Sequence, residues 1–175
     1  MSATSPQPES AERAGLVLEY GTLREEILKR MDIRHQLLSI ALTLTGVFLG
    51  FGLSGGGENI TVVLVYPALA ALLAMGWGQN ESRVRQLATH IREEIESRIA
   101  GLSWDTCVQR RRIAQGDRAW RRTALAHGGT FLCTQVLAIG VGALHLQGTP
   151  TEWLLLAVDA ASVIYVLSVM RGARR

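Results

Sequence analysis

The sequence predicts an all-α membrane protein: four transmembrane helices in two hairpins, with amphipathic cytoplasmic helices. Three observations carry this. Four apolar runs of near membrane length occur at 37–53, 60–77, 130–146 and 153–170, free of Lys, Arg, Asp and Glu except for Asp159. They are paired by short turns, Ser54 to Asn59 and Gln147 to Pro150. All 18 Lys and Arg residues lie outside both the runs and the turns. Overall composition, 48% apolar and 19% charged over 175 residues, resembles that of a soluble domain, so the segregation of charge decides the class.

Residues 1–11 are Ser, Pro, Ala and Glu material without a basic region or an apolar core, which reads as a disordered tail rather than a signal peptide. Residues 12–36 form a cytoplasmic helix. Leu16, Tyr20, Leu23, Ile27 and Met31 repeat at three- and four-residue spacing and make one apolar stripe, which needs a partner to cover it. Residues 37–78 form the first hairpin. As a helix, 37–53 spans about 25 Å against a core of about 30 Å, and extension back to Arg34, whose long side chain can snorkel, covers the deficit. Pro67 in the second crossing is tolerated in a membrane helix, and Trp77 suits an interface.

Residues 79–128 are a basic helical connector. Val84, Leu87, Ile91, Ile95 and Ile99 form a second stripe, Gly101 is a stop, and Ser103 or Asp105 restarts the chain as a helix, with a bend at Gly116. Residues 129–175 form the second hairpin and a basic tail. Leu23 to Arg30 echoes Ile91 to Arg98, and the two stripes are expected to pack together. Five of the basic residues precede the first crossing, ten lie in the connector and three in the tail. This positive-inside pattern predicts a multi-pass inner-membrane protein with both termini and the connector cytoplasmic.

No enzyme signature is present: there is no phosphate loop, no nucleophile elbow and no zinc motif. Cys107 and Cys133 suggest no disulfide framework. His90 and Glu94 share a helix face at metal-ligand spacing, and a plain polar pair is the favoured reading. Asn59-Ile60-Thr61 matches a glycosylation acceptor at the membrane surface. No catalytic residue, metal or cofactor is therefore expected.

Asp159 is the one charged group well inside a crossing. Depths along the helices place Tyr66 and Thr45 near its level, which predicts an inward-facing cluster of the three. A cation or proton site and a neutral acid tying two helices both remain open for it. Gly46 with Gly50, Ala138 with Gly142, and Ala157 with Ala161 are small-residue pairs at the spacing that permits close helix contact. Arg110, Arg111, Arg112, Arg118, Arg121 and Arg122 lie just before the third crossing, where anionic lipid head groups are a better match than nucleic acid. A cytoplasmic protein partner is the further reading of that cluster.

Glu19-Tyr20-x-x-Leu23-Arg24-x-Glu26-Ile27, Tyr66-Pro67, Trp77-x-x-Asn80 and Gly101-Leu102-x-Trp104-Asp105 resemble a family of small bacterial four-crossing membrane proteins without assigned activity. By layout alone, the chain is also similar to the helix-plus-hairpin membrane effectors of bacterial defence systems, which implies membrane perforation. The expected function is a self-associating homo-oligomer forming a pore or permeation path gated by its cytoplasmic helices. The alternative is a non-conducting scaffold or sensor that recruits a cytoplasmic partner. Reporter fusions after Gly56 and Gly148 are expected to read outside, and fusions at Gly101 and after Arg175 to read cytoplasmic; an external Gly101 overturns the architecture.

Overall fold

The computed structural model describes residues 8–54, 60–99, 101–115 and 117–172, and within these the side chains of all but 8–9, 115–127 and 172. Every regular element among them is helical. Helix α1 is Pro8–Ser54 and α2 is Ile60–His90, which continues as a π-helical segment, Ile91–Glu96. Helix α3 is Trp104–Gln115, α4 is Asp117–Leu144 and α5 is Pro150–Gly172. Three helices are long and apolar enough to cross a membrane, Ser10–Ser54, Ile60–Glu96 and Pro150–Arg171, whereas the apolar part of α4, Gly128–Leu144, is shorter. The expected third run loses its last two residues to the turn, where the His145 N–H donates to the Gly142 carbonyl at 3.2 Å. The turn at 55–59, the bend at Gly116 and residues 1–7 and 173–175 lie outside the described residues, while residues 8–11 of the expected disordered tail are helical.

Boundaries expected near 36, 78 and 128 fall inside continuous helices. No proline interrupts these positions, and the glycines there serve close approach instead. A Cβ at Gly78 would lie 2.6 Å from Val169 Cγ1, and one at Gly128 would lie 2.7 Å from Met170 Cγ. The chain divides into two compact units: Met1–Asp32 with Ser82–Gly116, and Ile33–Glu81 with Asp117–Arg175.

The first unit is a helical cluster around an isoleucine core. Ile27, Ile91, Ile95 and Ile99 are buried, with Leu16, Tyr20, Leu23, Met31, Val84, Leu87 and Leu102 packed against them. Both sequence stripes thus share one core. An i,i+4 repeat drifts about 40° per step on an α-helix. The wider π turn at Ile91–Glu96 offsets that drift and keeps Ile91, Ile95 and Ile99 on one side. The two echoing segments also repeat a contact: Arg30 donates to Glu26 at 2.6 Å and Arg98 to Glu94 at 2.9 Å, each four residues apart. Gly101 adopts φ 103°, which side-chain-bearing residues rarely take, and ends this stretch.

Glu96 fastens the start of α3. Its carboxylate accepts from the Asp105 N–H at 2.8 Å, the Thr106 N–H at 2.9 Å and the Thr106 hydroxyl at 2.6 Å. The Arg24 guanidinium stacks 5.2 Å from the Trp104 ring centre and lies 3.7 Å from Asp105, a charge contact too long for a hydrogen bond. Burial pushes the Glu96 carboxyl up, but the bonds from Thr106 and Asp105 and the charge of Arg24 outweigh it, so its pKa is lowered. Burial raises Asp105, Arg24 opposes, Glu96 adds to the rise, and the net shift is upward.

The second unit surrounds α2. Of its most apolar stretch 44% is buried, against 17% for α1 and α5, which makes α2 the central helix. Ala41, Ala71, Ala74, Trp77, Phe131 and Val166 form one cluster, and Ile60, Val63, Tyr66, Ala70 and Ala138 another. Arg34 pairs with Glu81 at 3.4 Å.

These opposite shifts have opposite pH signatures. Glu96, lowered, contributes stability above its unfolded pKa that is lost as pH falls through the folded value; Asp105, raised, contributes stability in acid that is lost as pH rises through its folded value. Asp105→Asn is expected to melt above wild type at neutral pH and to converge with it in acid, followed by circular dichroism. A lower neutral melting point would mean that the Arg24 contact outweighs burial.

Candidate functional site

The second unit encloses a polar cluster on four helices. Three hydroxyls form a chain: Thr45 on α1 donates to Tyr66 on α2 at 2.7 Å, and Tyr66 donates to Thr134 on α4 at 2.8 Å. Thr134 in turn donates to the Phe131 carbonyl at 3.0 Å. The Ala41 carbonyl lies 2.7 Å from the Thr45 hydroxyl and 3.2 Å from that of Tyr66, so both protons have a second acceptor. All three residues are buried. Apolar surroundings leave no water to compete for these bonds, so every hydroxyl must find a protein partner.

One residue along each chain lies a second set. The Gln135 amide donates to the Pro67 carbonyl at 2.9 Å and to the Ser162 hydroxyl at 3.3 Å. Ser162 donates to the backbone carbonyl of Asp159, one turn earlier on α5, at 2.8 Å. Asp159 is 1% exposed and Gln135 is fully buried, yet both carboxylate oxygens of Asp159 and the Oε1 of Gln135 have no hydrogen-bond partner.

Asp159 therefore faces inward, and Thr45 and Tyr66 bond to each other. The expected three-residue cluster is corrected: Asp159 makes no hydrogen bond to either. Depth along the helices was the only coordinate available from sequence, and helix rotation joins Tyr66 to Thr134 instead. The depth argument takes in only Asp159 and two groups near its level, so it omits Thr134, Gln135 and Ser162. The polar pair Thr134-Gln135 in an otherwise apolar run was the signal that could have found two of them.

The small-residue pairs divide. Ala138 is buried in the core around Tyr66, and a Cβ at Gly142 would lie 2.3 Å from Leu64 Cδ2, so this face packs within the chain. Gly46 and Gly50 are exposed, with nothing among the described residues within 4 Å of a Cβ added at either. Ala157 and Ala161 are exposed as well. Arg110, Arg111 and Arg112 are exposed on α3, while the side chains of Arg118, Arg121 and Arg122 lie outside those described. His90 pairs with Glu19 at 3.2 Å, not with Glu94. Among the described residues no three His, Cys, Asp or Glu are grouped to hold a metal. No protein-family model, curated protein or solved structure matches the chain.

The polar ties differ in what their loss leaves behind. Tyr66→Phe lets Thr45 and Thr134 keep backbone acceptors, so a loss of about 1 kcal/mol is expected. Gln135→Leu removes two ties at once, to the Pro67 carbonyl and to the Ser162 hydroxyl, and a larger loss of about 1–3 kcal/mol is expected. Unfolding in detergent measures both; a Gln135→Leu protein as stable as wild type would show that the amide is no tie.

Proposed function

We propose that the chain is a self-associating polytopic inner-membrane protein with four crossings in two hairpins. Copies of it form a permeation path, gated by the cytoplasmic helices. The observation that carries this is the open Gly46–Gly50 face on α1. The corresponding small face on α4 is filled by Leu64, whereas this one meets nothing among the described residues. Small residues at this spacing let two backbones approach closely in lipid, and a second copy of the same face is the natural complement. Leu42, Val47, Phe51 and Leu53 on the same helix are also exposed, which suits lipid and a neighbouring copy better than water.

The cytoplasmic assignment of the termini and the connector rests on the arginine distribution. Arg110, Arg111 and Arg112 would contact anionic head groups, at about 1 kcal/mol each near the surface. The gating role rests on continuity: α1 and the α2–π helix each supply residues to both units without a helical break.

A second reading, a non-conducting scaffold or sensor that recruits a cytoplasmic protein, is favoured by one feature. The first unit exposes Leu18 at 74% and Ile113 at 70%, apolar surface that a partner would cover.

The test is the detergent-solubilised mass with flux through reconstituted vesicles. Wild type is expected to be oligomeric and conducting, and Gly46→Leu with Gly50→Leu to lose both properties while remaining helical. A monomeric wild type, or a double variant of unchanged size and flux, overturns the reading.

A further inference from the structure

We propose that Asp159, Gln135 and Ser162 form a binding site for one small monovalent cation, a proton or an alkali-metal ion. The argument is an accounting of donors and acceptors. The Gln135 amide nitrogen is committed to the Pro67 carbonyl at 2.9 Å and the Ser162 hydroxyl at 3.3 Å. The Ser162 proton is committed to the Asp159 backbone carbonyl at 2.8 Å. Rotating the Gln135 amide by half a turn would set its oxygen against the Pro67 oxygen, so the assigned orientation is the one the chemistry allows. Three acceptors then remain without a donor: Oδ1 and Oδ2 of Asp159 and Oε1 of Gln135. Ser162 bonds to both residues, accepting from the Gln135 amide and donating to the Asp159 backbone carbonyl, so the side chains that carry these acceptors are tied to one hydroxyl.

No basic side chain supplies the missing charge: among the described residues Asp159 has no ion-pair or hydrogen-bond partner. On the apolar stretches of α1, α2 and α4 in this unit, the inward titratable group is Tyr66, already bonded to two threonines, and Cys133 on α4 is exposed. A buried carboxylate without donors or counter-charge is strongly unfavourable, and a bound cation removes the penalty. Carboxylate, amide and hydroxyl oxygens are hard ligands, which favours a proton or an alkali ion over a soft transition metal. A single carboxylate balances a single positive charge; a divalent ion would leave a net charge in the apolar core.

This names the cation as the permeant class of the path proposed above and rests on that reading for transport, though not for binding. The test uses the full-length protein in detergent. A hundredfold rise in sodium chloride, balanced against choline chloride, is expected to raise the melting point by roughly 5 °C if the ligand is an alkali ion. A fall in pH is expected to do so, independently of sodium, if the ligand is a proton. Asp159→Asn should lose the sodium response in the alkali case and, in the proton case, keep only the pH dependence that Glu96 and Asp105 supply. Because that variant can fail to fold, wild type is also treated with dicyclohexylcarbodiimide and the adduct located by mass spectrometry. Labelling of Asp159 should be slowed by sodium in the alkali case and by raised pH in the proton case. If neither sodium nor pH changes melting or labelling at Asp159, the site is refuted. Binding without flux in vesicles keeps the site and removes the path; cation flux unchanged in folded Asp159→Asn removes the site and keeps the path.

Discussion

The Tyr66 hydroxyl ties three helices together, and the arrangement of the apolar unit depends on it. In the lipid setting proposed for this unit, burying leucine against leucine is no more favourable than leaving it against lipid. Specific docking then comes from close backbone approach and from hydrogen bonds between helices, each worth only about 0.6–1.7 kcal/mol. Tyr66 has one proton and two lone pairs, and it uses them toward Thr45 on α1 and Thr134 on α4. Its ring packs near Phe48 at 5.9 Å between centres, which holds the phenol in place. Because Tyr66-Pro67 and Thr134-Gln135 are adjacent pairs, rotation of either helix would break both the hydroxyl chain and the Gln135–Pro67 bond.

The first unit is held by the opposite balance. There an isoleucine core forms between two stripes, and charges serve at its margin. Glu96 does more than pair with a base: it satisfies two N–H groups at the start of α3, which a helix cannot satisfy for itself. Two carboxylates in this corner, Glu96 and Asp105, are shifted in opposite senses because one accepts three hydrogen bonds and the other is desolvated without them. The Glu26–Arg30 and Glu94–Arg98 pairs are exposed contacts of the ordinary helical kind, and their equivalence in the two echoing segments is the structural counterpart of the sequence echo.

Two small-residue faces with the same spacing meet different ends. At Gly142 the missing side chain makes room for Leu64, and the space is used. At Gly46 and Gly50 the space is unused by the described residues. A glycine inside a helix costs roughly 1 kcal/mol relative to alanine in water. Its presence at an empty face therefore asks for a contact that the isolated chain does not supply, and that contact is the physical basis for proposing self-association.

Helix content, the apolar stripes and three helices of membrane-crossing length were legible from the sequence alone, because each depends on local spacing and on where charge is absent; the fourth apolar run is shorter in the structure. The stripe of Leu23, Ile27, Ile91 and Ile95 was readable as a pair of faces in need of each other. Helix ends were less legible. The boundaries expected at 78 and 128 fall at glycines against which Val169 and Met170 pack, and the helices run on through them. The buried site was legible only in part. Asp159 had to face inward, since an acid cannot face lipid cheaply, and depth brought Tyr66 and Thr45 to one level. Which residues actually meet depends on the rotation of each helix about its axis and on the neighbours around it, quantities that no spacing encodes. Tertiary structure alone therefore joined Tyr66 to Thr134, set Gln135 beside Ser162, and left the Asp159 carboxylate without a donor.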